Sequence, residues 1–201
     1  MTTWTSKHLV TLGFVGALGA CDVADSGSTL LAGLTPPADT ALPAVPLKQA
    51  LMMRGKVTLV PPDGYCIDPE SLNQSFALLA RCDALGASTG GSGAPVGLMT
   101  VSLTRTGNQK QPPTAEEFTA AAGLAAPESA KKHASGVIFR TSGTPPADDL
   151  SSTHWRAVST VGEFTMGAAL FGPDGRRAVS AEGAEVLQEM IQRTTDKTKA
   201  G

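Results

Sequence analysis

Aromatic side chains are scarce in this chain of 201 residues: they make up 4% of it, with a single tyrosine, Tyr65, and two tryptophans, Trp4 and Trp155. So few rings argue against an aromatic-lined sugar site or a stacking groove for single-stranded nucleic acid. Charge of one sign is also missing. The formal net charge is −2 with basic and acidic residues interspersed, so no basic footprint for nucleic acid appears. There is no hydrophobic run of the roughly 20 residues needed to span a bilayer. The usual catalytic signatures are absent too: no G-x-S-x-G elbow, H-E-x-x-H helix, EF-hand loop or Walker P-loop occurs. What is present is 41% hydrophobic residues, 22 glycines and 14 prolines, enough for one globular core with many turns.

The longest uncharged apolar stretch, Leu9 to Ala20, is 12 residues and follows Lys7. That is the length and charge order of a signal-peptide core. It ends in Leu18-Gly19-Ala20-Cys21, which resembles the lipobox of bacterial lipoproteins. Small residues precede the cut, and the thiol that follows is the side chain that becomes the diacylglyceryl thioether. The resemblance implies lipidation of Cys21, with palmitate among the expected acyl chains, and a protein held on the periplasmic face of a bacterial membrane. Asp22, the next residue, implies inner-membrane retention by the rule known for enteric lipoproteins, with the outer membrane as the alternative. Ordinary signal cleavage or an uncleaved anchor are the competing readings of the segment. Removing residues 1–20 leaves a mature charge of −3.

Residues 21–49 carry Pro36, Pro37, Pro43 and Pro46 and no sustained period, the composition of a tether. Leu30, Leu31 and Leu34 offer the competing reading, a partner-binding segment. Residues 50–198 are expected to form a single α+β domain, a mostly antiparallel sheet covered by helices, with residues 199–201 as a tail. Alternation predicts strands at 55–60, 75–82, 96–104, 136–141, 155–161 and 164–171. Phe76, Leu78, Ala80 and Cys82 share one face, as do Met99, Val101 and Leu103. Gly162-Glu163 predicts a two-residue type II′ hairpin. Thr114 and Glu117 form a capping box before a stripe of Ala115, Phe118, Ala121 and Ala122. A second helix starts after Ser180, and a short helical piece is expected at 127–134. This element order resembles the photosystem II subunit P-like fold, which implies an α/β/α sandwich.

With Cys21 acylated, Cys66 and Cys82 remain, and an even pair in an oxidising periplasm predicts a disulfide. Closing a loop of about 15 residues is worth ~3 kcal/mol. Two free core thiols or a redox centre are the alternatives. Neither a metal site nor a cofactor site is indicated. Gly86 to Gly93 is glycine-rich but lacks a G-K-[ST] ending, which makes it a loop leading into a strand. His133 sits in a charged run with Lys131 and Lys132. His154 with Asp148 or Asp149 is the one pairing that could orient an imidazole as general base. The expected function is therefore a lipid-anchored periplasmic binding or accessory protein with an envelope protein as partner. The alternatives are a small envelope hydrolase using His154 with Asp148 or Asp149, or a purely structural lipoprotein.

Overall fold

The structure, a computed structural model, describes residues 45–91, 93–107 and 111–201. The signal segment, Cys21, Asp22 and most of the expected tether lie outside the described residues. Among those described, nine strands and two α-helices follow one another: β1 (Ala50–Met52), β2 (Val57–Leu59), β3 (Tyr65–Ile67), β4 (Phe76–Arg81), β5 (Leu98–Arg105), α1 (Ala115–Ala122), β6 (Glu128–His133), β7 (Gly136–Ser142), β8 (Thr153–Val161), β9 (Phe164–Phe171) and α2 (Ala181–Lys199).

Seven strands form one antiparallel sheet in the order β3-β4-β5-β9-β8-β7-β6, and β1 pairs with β2 separately. The large sheet is thus two meanders joined at β5 and β9. The link from β5 to β6 must cross three strands to reach the far edge, and it carries α1 with it. Leu47 pairs with Ile67 on the outer edge of β3, so strand pairing begins inside the segment read as tether.

Side chains alternate between the two faces of a strand, and this decides which helix meets which residues. On β9, Phe164, Met166, Ala168 and Leu170 point one way, as expected, together with Trp155, Ala157 and Val161 of β8. They pack against Leu187, Met190 and Ile191 of α2 and against Met52, Val57 and Leu59 of the β1–β2 hairpin. Val137 and Phe139 of β7 and Val158 of β8 point the other way, against Ala115 and Phe118 of α1. The Phe118 and Phe139 rings meet edge to face at 5.9 Å, a favoured aromatic geometry.

Local signals hold at the turns and caps. Thr114 and Glu117 form both halves of the capping box, and Ser180 caps α2. Val161 pairs with Phe164 across Gly162-Glu163. Gly162 has φ +58 while Glu163 stays out of the positive-φ region, the combination a type II′ turn requires.

Two expectations are corrected, and the shared face on β4 is refined. Residues 127–134 hold strand β6, not a helical piece: pairing to β7 overrides the weak local preference. The β4 stripe of Phe76, Leu78 and Ala80 is only half-buried, whereas the alternate residues Ala77 and Leu79 are fully buried facing the α2 side. The buried face of α1 is Ala115 and Thr119, with Ala121 and Ala122 exposed, because this two-turn helix meets β7 along its first turn.

Candidate functional site

The pairing that the hydrolase alternative needs, His154 with Asp148 or Asp149, is not assembled. His154 is fully buried, with Nδ1 2.8 Å from the Ser152 carbonyl and Nε2 2.9 Å from Arg156 Nε. A ring that donates from Nδ1 and accepts at Nε2 has no free nitrogen for a general base. Its face stacks on Phe171 at 4.3 Å. Burial, more than the neighbouring Arg156 cation, holds its pKa below the ordinary histidine value. Asp148 and Asp149 are exposed and are not among its partners. Arg156 lies over the rings of Phe118 and Phe171, at 6.0 and 5.6 Å, so these groups form a packed structural cluster.

The cysteine pair does come together. Cys66 and Cys82 form a disulfide with Cα atoms 4.8 Å apart, and both residues are fully buried. Lys48 Nζ lies 3.0 Å from the Cys82 sulfur. The glycine-rich run belongs to the connection between the antiparallel neighbours β4 and β5, and Gly90 rests against Cys82 and Lys48.

A polar cluster on the α2 side of the sheet, near the β6–β7 turn, is the better site. Register places Ser159 among the apolar Trp155, Ala157 and Val161, where a hydroxyl needs a partner. It has one in Ser135, at 2.8 Å, and Ser135 in turn lies 3.3 Å from His133 Nδ1. The three residues meet because Gly136 pairs with both Ser159 and His133. A Cβ on Gly136 would overlap the Val158 carbonyl, so glycine is what lets β7 and β8 close up there.

Two hollows open beside this cluster. One, of about 390 Å³, runs along α2 past Gln188, Gln192 and Asp196. The other, of about 710 Å³, reaches toward Pro113, Thr114 and Glu116 at the start of α1. They share His133, Ala134, Ser135, Thr195 and Lys199. Volumes of this size accommodate small molecules. Among the described residues, three buried side-chain polar atoms have no hydrogen-bond partner: His133 Nε2, Thr195 Oγ1 and Arg140 Nε. Two of the three therefore belong to the residues shared by these hollows. Burial holds the His133 pKa below the ordinary value, which favours a neutral ring.

From sequence, His133 reads as part of a solvated charged run, while Ser135, Ser159 and Thr195 carry no signal as a site. The one visible cue is Ser159, a polar residue interrupting an apolar strand face. Among the described residues no group of three or more His, Cys, Asp and Glu side chains is gathered to hold a metal, and no helix is long and apolar enough to cross a membrane.

Fold and site together define an antiparallel-sheet domain with a helix on each face and a polar groove at one end. Compared with protein-family models, curated proteins and solved structures, the chain shows no significant match.

Proposed function

We propose that this chain is a lipid-anchored accessory or binding protein of the bacterial cell envelope, presenting its domain on the periplasmic side. The observation that carries this reading is Cys21, directly after Leu18-Gly19-Ala20 at the end of a 12-residue apolar run. Two or more acyl chains would anchor the protein firmly, where a single chain binds only marginally. A buried disulfide suits an oxidising compartment. Asp22 favours the inner membrane. Helices on opposite faces of the sheet support the α/β/α layering of the photosystem II subunit P-like fold.

A binding role, as opposed to a purely structural one, is supported by the groove beside His133 and Thr195. The occupied nitrogens of His154 leave no general base at that residue. The test is the intact mass of protein extracted in detergent from a bacterial host. A chain starting at Cys21 with added lipid mass is expected, and Cys21→Ser should abolish both processing and lipid. A mature chain without lipid on Cys21 would overturn the anchoring.

A further inference from the structure

We propose that the groove between the β6–β7 turn and the C-terminal half of α2 binds a small monocarboxylate, with the His133 imidazole N–H and the Thr195 hydroxyl as its donors. The proposal rests on reading the domain as a binding module and names what it binds.

Ser159 is fully buried, and Ser135 Oγ is the hydrogen-bond partner of its hydroxyl. Ser159 then donates to Ser135, and the Ser135 hydrogen, which has no other acceptor among the described hydrogen bonds, goes to His133 Nδ1. The reverse order would leave the Ser159 hydrogen buried and unused, a penalty of the kind proteins avoid. With Nδ1 accepting and the ring neutral, the remaining hydrogen sits on Nε2. In this arrangement every hydroxyl hydrogen is used, the serine relay selects the Nε2–H tautomer, and His133 offers a donor to the groove.

Thr195 supplies the second group. A helical threonine commonly spends its hydroxyl on the carbonyl one turn back, and its neighbour Thr194 is fully engaged with Val60. Thr195 Oγ1 is buried with no partner. Both unspent groups belong to residues that line both hollows.

Two donors suit the two oxygens of a carboxylate. The rim tunes its charge. Lys132 and Lys199 line the wider hollow together with Glu116, and Lys199 lines the narrower one together with Asp196. None of these four appears in an ion pair among the described residues. The lysines attract a single negative charge, while Glu116 and Asp196 oppose a dianion such as phosphate. Because the two donor atoms are shielded in the unliganded form, entry requires a rim side chain to swing aside. Lys132, Gln192 and Lys199 are long enough to do so.

The test uses the full-length protein in detergent, carrying histidine labelled with carbon-13 at Cε1, titrated with sodium acetate and followed by NMR. The His133 signal should move saturably with a millimolar dissociation constant. His154, sealed with both nitrogens engaged, should stay fixed and reports an intact fold. Thr195→Val should weaken acetate binding at least about fivefold, the equivalent of one hydrogen bond. Thr195→Ser should retain it. Acetamide, chloride at equal ionic strength and inorganic phosphate should each fail to saturate the signal.

A linear response to acetate, an equal response to chloride or phosphate, or unchanged affinity in a folded Thr195→Val protein would overturn the proposal. Lipid on Cys21 is measured separately by mass. Acetate binding without lipid would sink the anchoring reading alone, and lipid without acetate binding would sink this one alone.

Discussion

Thr194 serves Val60 twice, its Oγ1 accepting from the Val60 N–H at 3.1 Å and donating to the Val60 carbonyl at 3.3 Å. One turn further along α2, Thr198 Oγ1 accepts from the Thr58 N–H at 3.1 Å. Four residues of helix rise about 6 Å, and two residues of strand about 6.6 Å, so the spacings match. Two threonines on a helix thus stand in for a neighbouring strand and close the free edge of β2, which would otherwise present unpaired backbone groups.

Thr194→Val keeps the shape and removes both bonds. It is expected to cost about 1–3 kcal/mol by leaving the Val60 groups unsatisfied. Thr198→Val, which loses one bond at a more exposed position, should cost less. Urea unfolding checks both, and an unchanged midpoint for Thr194→Val would refute the edge-closing role.

The Cys66–Cys82 disulfide closes a loop with a sequence separation of 16. Replacing both cysteines by serine should lower stability by ~3 kcal/mol, most of it through a freer unfolded chain. Chemical denaturation of the variant beside the oxidised wild type measures this, with the Lys48 contact to Cys82 lost in the same step.

Two glycines should respond differently to alanine. At Gly162 an added Cβ meets nothing within 4 Å, but φ is +58, so Gly162→Ala should cost about 1–2 kcal/mol of backbone strain. At Gly136 the added Cβ collides with the Val158 carbonyl and lies 2.8 Å from Ser159 Cα. Gly136→Ala should cost at least as much, about 1–3 kcal/mol or more, and should also disturb the Ser135–Ser159 bond. Thermal melts rank the two, and the His133 NMR signal should shift only in the second.

His154 predicts an acid weakness. Burial holds its folded pKa below the unfolded value of about 6.5, so below that pH the unfolded chain binds more protons than the folded one. The stabilisation is fully present above about pH 6.5 and is lost as pH falls from there through the folded pKa. His133, lowered by burial as well, adds in the same direction. Unfolding free energies at about pH 7.5 and about pH 5 should therefore differ, and His154→Phe should narrow the gap. An equal gap in that variant would remove His154 as its source.

Much of the frame was legible from local rules. The Gly162-Glu163 hairpin, the Thr114–Glu117 box, the Ser180 start of α2 and the shared faces of β5 and β9 all follow from interactions within a few residues of chain. Such rules carry less weight where local preference is weak. Residues 127–134 become strand β6 because β7 offers an edge, and β6 then limits further pairing with the exposed Lys131 and Lys132 and a shift of register. The stripe on β4 was visible, but which of its two apolar faces lies deeper depends on what α2 covers.

By itself, the sequence determined the motif at Cys21, the cysteine pair, the turns, the caps and the α+β balance, because each is written in residue type and spacing. The tertiary structure alone decided the sites. His154 lies close in sequence to Asp148 and Asp149, yet the fold spends both its nitrogens on Ser152 and Arg156. His133, Ser135 and Thr195 come from the end of β6, the β6–β7 turn and α2, and only packing brings them to one groove, with Ser159 of β8 buried behind Ser135. A polar group becomes available for binding when every nearby partner is already committed, and that count exists only in the folded chain.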